Sequence, residues 1–148
     1  MKNIVIWLFT IAVILVAGWY FLSPLVIDNN VSEALPVQSE SSEIGELDAA
    51  AFQDADSFHK TSGQAKIVQS ENTKYLRFEN FEATNGPDLK VYLAKDLAAG
   101  NFISLGDLKG NIGDQNYELP ADFNAQEYPY VLIWCEQFSV LFGSAQLS

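Results

Sequence analysis

At 148 residues the chain holds one ordinary domain plus accessory segments, and 49% hydrophobic with 13% aromatic content is ample for a packed core. Nineteen Asp and Glu against eight Lys and Arg give a formal net charge of -11, which repels phosphate backbones and argues against nucleic acid or anionic headgroups as partners. One cysteine, Cys135, and one histidine, His59, exclude an internal disulfide and a four-ligand zinc set.

Ile4 to Leu22 is an uncharged run, interrupted mildly by Thr10 and Gly18. A helix needs about 20 mainly apolar residues to cross a hydrocarbon core. Trp7 lies near one end and Trp19 and Tyr20 near the other, at depths where aromatic rings favour the headgroups. Pro24 stops the helix because it donates no backbone hydrogen bond. Residues 1–22 are therefore expected to be a transmembrane signal-anchor, with the membrane contacted through residues 4–22. Lys2 precedes the run and acids follow it, which places the N-terminus in the cytoplasm and the rest in a periplasmic or extracellular space. A cleaved signal peptide is the rival reading, with Val16-Ala17-Gly18 as a mimic of a cleavage site. The apolar run outlasts that site and exceeds the usual signal core of roughly 7–15 residues.

Residues 23–51 change character. Asp28, Glu33, Glu40, Glu43, Glu46 and Asp48 occur with no basic residue among them. Such a stretch reads as an acidic flexible tether that holds the domain off the bilayer. Residues 43–52 are compatible with a short helix, and Asn30-Val31-Ser32 is a glycosylation sequon of low specificity.

Residues 52–148 read as short strands between turns. Lys74 to Glu79 alternates, with Leu76 and Phe78 inward and Arg77 on the charged face. Asn85-Gly86-Pro87-Asp88 is a turn, after which Leu89, Val91 and Leu93 alternate with Lys90 and Tyr92. Phe102 to Leu108 is a further strand, and Gly110 to Asp114 is a glycine-bearing loop leading to Tyr117 and Leu119. Tyr130 to Cys135 is apolar on both faces, the mark of a central strand. Phe138, Val140 and Phe142 alternate inward in the last strand. The expected fold is all-β, an antiparallel sandwich or barrel-like domain after one transmembrane helix.

Three segments together resemble the DM-thirteen domain family. They are Phe78-Glu79-Asn80-Phe81 running into Asn85 to Leu93, then Leu105 to Asn111 with Gly113, Gln115, Asn116, Tyr117 and Pro120, then Val131 to Cys135 with Phe138 to Ala145 and Leu147. The resemblance covers nearly all of His59 to Leu147. It implies extracytoplasmic electron transfer or redox modification centred on one cysteine, here Cys135, acting as a bare thiol or as ligand of a prosthetic group such as haem.

The residues themselves allow two readings of Cys135. An unpaired thiol outside the cytoplasm sits in an oxidising compartment and invites redox chemistry. Free cysteine is also among the most buried residue types, and Cys135 shares a face with Val131 and Ile133. Without a CxxC pair, a thiol cycle needs a second thiol from a partner protein, a small thiol or another copy of the chain. His59 as a second haem ligand has no support from spacing, and no CxxCH haem-attachment site occurs. Weaker cofactor-binding candidates are Asn85, Gly86, Asn111, Asn116 and Tyr117, from the two glycine-bearing loops and their flanks, and Trp134, whose ring suits a flat cofactor. Gly110 and Gly113 permit close approach of a ligand, although polar loop residues more often satisfy their own backbone. Asp54 and Asp56 lack the rest of a calcium loop. With no G-x-S-x-G elbow, a classical hydrolase is disfavoured. The alternative function is a non-catalytic envelope binding or assembly module with a structural cysteine.

Overall fold

The computed structural model describes residues 2–23, 27–36, 47–70 and 72–147. Helix α1 (Lys2–Leu22) is long and apolar enough to cross a membrane, and none of its apolar window is buried against protein. The Thr10 hydroxyl donates to the Ile6 carbonyl at 2.9 Å, so the helix satisfies its own polar side chain.

Ten strands follow among the described residues: β1 (Asn30–Ser32), β2 (Leu47–Ala51), β3 (Gln53–Asp54), β4 (Thr61–Ser70), β5 (Thr73–Ala83), β6 (Leu89–Ala94), β7 (Phe102–Asp107), β8 (Ile112–Glu118), β9 (Tyr130–Cys135) and β10 (Val140–Gln146). They form two five-stranded sheets, ordered β1-β8-β5-β4-β2 and β3-β10-β9-β6-β7. All pairings are antiparallel except β1 with β8, where Val31 lies opposite Gly113. The domain is an all-β sandwich.

Alternation explains which faces meet. Ala65, Ile67, Leu76 and Phe78 from one sheet are buried with Val91, Leu93, Val131, Ile133 and Ala145 from the other. Phe52, Phe78 and Phe81 pack ring against ring at about 5 Å between centroids. As expected, β9 is central. Its outer side chains, Leu132 and Trp134, join Tyr92 and Ala94 in a second, smaller cluster, and Tyr92 stacks on Phe102 at 4.0 Å.

Several local expectations are corrected. Residues 47–51, read as part of a short helix, form strand β2, because Ala49, Ala50 and Ala51 pair with β4; residues 43–46 lie outside the described residues. The stretch read as a flexible tether contributes both β1 and β2 to the sandwich, while its segment 37–46, including the Ser39–Glu43 run, lies outside the described residues. The Gly110–Asp114 loop ends at Ile112, where β8 begins. Phe138 does not point inward. It occupies the tight turn at 136–139, which closes through Ser139 at a φ of 54°, and its ring is exposed.

The topology gathers five loops at one end of the sandwich. These are residues 27–29 entering β1, 55–60, 84–88, 108–111 and 136–139. Backbone hydrogen bonds tie them together: Glu136 N to Asp88 O at 2.9 Å, Leu108 N to Leu89 O at 2.8 Å, Ala83 N to Asn111 O at 2.8 Å and Thr84 N to Lys60 O at 2.9 Å. The chain arrives from α1 at this end, termed here the anchor end. Leu147 leaves at the other.

Candidate functional site

Cys135 closes β9 at the anchor end. Leu89 of β6 and Val140 of β10 lie directly opposite it on either side. Cross-strand partners share a face, so the three side chains form the last inward row before the loops. The thiol is fully buried, as are Ile133 and Val131 behind it, and it is free of any disulfide. Leu89 is 9% exposed and Val140 is half-buried, so the row that holds the sulfur is the one next to the loop end.

Glu136, the next residue, faces the other way. It accepts a hydrogen bond from the Tyr92 hydroxyl at 3.3 Å and lies 3.7 Å from the Lys90 ammonium, both on the outer side of the sheet. Burial, and then the Glu136 carboxylate, push the Tyr92 hydroxyl above its ordinary range. Lys90 also pairs with Asp88 and Asp107, which hold its ammonium charged.

A haem ligated by Cys135 requires the sulfur to face a cavity wide enough for a macrocycle. The sulfur instead faces a packed core, enclosed in its own row by Leu89 and Val140. His59 is engaged elsewhere: Nδ1 lies 2.7 Å from Asp56 Oδ2, and its ring packs on Phe142 at 4.3 Å. The folded core therefore does not fit a haem at this residue. Trp134 sits half-buried on the outer cluster, on the opposite face of β9 from the thiol. Among the described residues no group of three or more His, Cys, Asp or Glu is arranged to hold a metal ion. Asp54 accepts from Lys60 Nζ and Thr61 N, and Asp56 accepts from the backbone N–H groups of Phe58 and His59.

Of the remaining candidates, Gly86 lies against Leu89 and Phe142, while Asn85, Asn111 and Asn116 converge on one object, the chain's own segment 28–34. Asn85 Nδ2 and Asn111 Nδ2 both donate to Asp28 Oδ1 at 2.9 Å, and Asn111 Oδ1 accepts from Asn29 N at 2.6 Å. Asn116 Nδ2 donates to Ala34 O at 2.8 Å, and its backbone N–H donates to Glu33 Oε2 at 2.7 Å. Lys109 Nζ pairs with the Glu33 carboxylate at 2.8 Å. Arg77, buried although its alternation assigned it to a charged face, donates to Glu33 O at 3.1 Å, Asn116 Oδ1 at 2.9 Å and Asp114 Oδ2 at 2.7 Å. Gly110 and Gly113 supply the close approach expected of them, but to backbone. A Cβ at 113 would lie 2.0 Å from the Val31 carbonyl oxygen, and one at 110 would lie 2.4 Å from that of Asn29.

Tyr117 supports this clamp from beneath. Its hydroxyl donates to Gln115 Oε1 at 2.7 Å and accepts from Lys109 N at 3.0 Å. Buried Gln115 closes the loop by donating to Gly110 O at 2.7 Å. Two open grooves of about 430 and 320 Å³ remain beside the clamp. Asp28, Thr61 and Thr84 line the first, Gly86, Leu89 and Asp107 line the second, and Asn85 and Asn111 line both. Asp28, Glu33, Arg77 and Lys109 carry the clamp and were not legible as site residues. Their only sequence signal is an arginine inside a strand rich in apolar residues.

Acid should loosen this end. Burial alone would raise Glu33, but hydrogen bonds from Lys109 and Asn116 outweigh it and hold the carboxyl below its usual range. The His59 side chain, with the His59 and Phe58 backbone N–H groups, lowers Asp56 to about 2. Both groups have depressed folded pKa values, so the unfolded chain binds more protons between about pH 4 and pH 2. Their stabilisation is present above about pH 4 and is lost as pH falls toward 2. Urea midpoints measured from pH 5 to pH 2 should fall, and Asp56→Asn should flatten the slope.

A family model described as Electron transfer DM13 matches residues 51–147. No curated protein and no solved structure gives a significant match. Helix α1 and strand β1 lie outside the matched segment.

Proposed function

The chain belongs to the electron-transfer DM13 family, and from that premise we propose a membrane-anchored, extracytoplasmic redox domain whose reactive group is the Cys135 thiol. Lys2 at the start of α1 and the acids after the helix support an N-terminus in the cytoplasm and a domain on the far side. The observation that carries the reading is the position of the chain's one thiol, in the last inward row before the loops of the anchor end.

From that position the thiol acts only when the 136–139 turn and the Leu89 margin part. The exposed thiol loses its proton to water, and the thiolate attacks a disulfide in a partner protein or a small molecule. A new S–S bond forms to Cys135, the old S–S bond breaks, and its electron pair leaves on the released thiolate. A small thiol, as its thiolate, then attacks the Cys135 sulfur of the mixed disulfide, forming a new S–S bond to Cys135 and releasing the second partner sulfur as a thiolate. The partner disulfide is thereby reduced by two electrons, and Cys135 and the small thiol are oxidised to a disulfide with each other.

Glutathione disulfide tests the first step. The folded full-length chain in lipid nanodiscs should gain one glutathione adduct at Cys135 by mass spectrometry, and Cys135→Ser should gain none. A folded chain that stays unmodified through prolonged exposure would contradict the reading.

Complete burial of the sulfur favours a second reading, a non-catalytic envelope module in which Cys135 is a small core residue. It predicts modification only at the rate of global unfolding. A disulfide-linked dimer through Cys135 faces the same barrier, because the sulfur must first leave the core.

A further inference from the structure

The clamp fixes which end of the sandwich meets the membrane. Ser23 and Ile27 are four residues apart, a reach of at most about 14 Å at 3.3–3.6 Å per residue. Ile27 N donates to Ser23 O at 3.1 Å, which brings the helix end and the strand entry together. From Asp28 onward the chain is bonded to Asn85, Lys109, Asn111, Asn116 and Arg77. The anchor end of the domain therefore cannot stand off from the surface that α1 enters. This consequence rests on the anchoring reading above.

That same end carries the two most exposed aromatic side chains of the domain, Phe58 at 82% and Phe138 at 64%. Both are held out by ordered turns. The Asp56 carboxylate receives the Phe58 and His59 N–H groups, and Ala55 N donates to His59 O. Ser139 N closes the other turn on Glu136 O. A ring presented on a pre-ordered turn sacrifices little conformational entropy on contact. The carboxylates around the rings outnumber the cations, although Asp54 is paired with Lys60, Glu33 with Lys109, and Asp88 and Asp107 with Lys90. Their excess disfavours an anionic surface but is tolerated at a zwitterionic one.

We infer that the anchor end rests on the zwitterionic lipid interface of the bilayer spanned by α1, with Phe58 and Phe138 inserted at headgroup depth. Aromatic rings favour this depth. Because the anchor makes the contact intramolecular, a modest gain per ring is sufficient to populate it. The row containing Cys135 then faces the bilayer, and a redox partner reaches the thiol along the membrane surface.

The test uses the full-length chain in phosphatidylcholine nanodiscs. An environment-sensitive label is placed beside each ring, at Ser57→Cys and Gln137→Cys, and at Leu97→Cys on the opposite end. The unsubstituted chain, labelled natively, serves as blank. Lipids with a nitroxide near the headgroup should quench the labels at 57 and 137 several-fold more than the label at 97. Adding Phe58→Ser and Phe138→Ser should remove most of that difference, and so should an increased share of anionic lipid. Equal, weak quenching at all three positions would overturn the inference. So would a blue-shifted emission at 57 and 137 that ignores the nitroxide, since that would assign the face to a protein contact. Quenching of Trp7 and Trp19 reads the anchor separately. If those tryptophans are quenched while 57 and 137 are not, the anchor stands and the docking fails; if they too are unquenched, the anchoring reading itself has failed.

Discussion

Arg77→Ala lowers the stability of the sandwich by about 3 kcal/mol or more, the range observed when one member of a buried ion pair is removed. Arg77 is 4% exposed and sits on β5 beneath the segment that leads out of β1. Its guanidinium reaches Asp114 at 2.7 Å, Asn116 at 2.9 Å, the Glu33 carbonyl at 3.1 Å and Glu79 at 3.2 Å. Truncation leaves Asp114 without its cation, Glu79 with Lys66 alone, and a carbonyl without a donor. Asp114 and Glu79 retain some exposure and rehydrate in part, which sets the estimate at the lower end of the range. For a domain of this size, about 3 kcal/mol corresponds to a fall in Tm on the order of 15 °C. Arg77→Lys should recover only part of the loss, since an ammonium is a point charge and cannot reproduce a planar fork. Urea unfolding followed by tryptophan fluorescence measures all three proteins, and an Arg77→Ala midpoint equal to the parent's would remove Arg77 from the clamp.

Gly113→Val has the second large effect, and a more local one. The backbone at 113 has a φ of +103°, which L side chains rarely adopt, and the new Cβ would overlap the Val31 carbonyl. Strain of this kind costs roughly 1–3 kcal/mol before the clash is counted. The chain escapes the clash most readily by releasing β1, because β1 is three residues long and pairs only with β8. Hydrogen exchange at Val31 and Glu33 should then accelerate by orders of magnitude while Leu76 and Phe78 keep their protection. In nanodiscs the release should also lower the lipid quenching at positions 57 and 137. Undisturbed exchange at Val31 would show that β1 is not held by the close approach at Gly113.

What was readable in the sequence follows from the range of each signal. Helix α1 announces itself by an unbroken apolar run, β5 and β6 by period-two alternation, and β9 by a short run apolar on both faces, because all these patterns are local. The inward face of Cys135 was legible from Val131 and Ile133 for the same reason. Strand β1 was not. Three residues are too few for periodicity, and their partners lie some 80 residues downstream, so an acidic stretch with no visible partner reads as tether. Arg77 failed similarly. Alternation gave it to the charged face, and only the arrival of Glu33 and Ala34 above it makes that position buried. The asparagines read as weak cofactor-binding candidates, beside the reading that polar loop residues satisfy the chain's own backbone, and Gly110 and Gly113 as points of close approach. The sequence lacked the identity of what approaches, which is the chain's own segment 28–34. Phe138 was misread because alternation was continued through a turn.

The most direct test of the redox proposal is the denaturant dependence of Cys135 alkylation in the folded full-length chain, compared with global unfolding under the same conditions. Local parting of the 136–139 turn exposes little surface, so labelling should proceed at low urea with a slope well below the global m-value. Labelling that occurs only at the rate of global unfolding, with the full m-value, would contradict the proposal and make Cys135 a structural residue of the core.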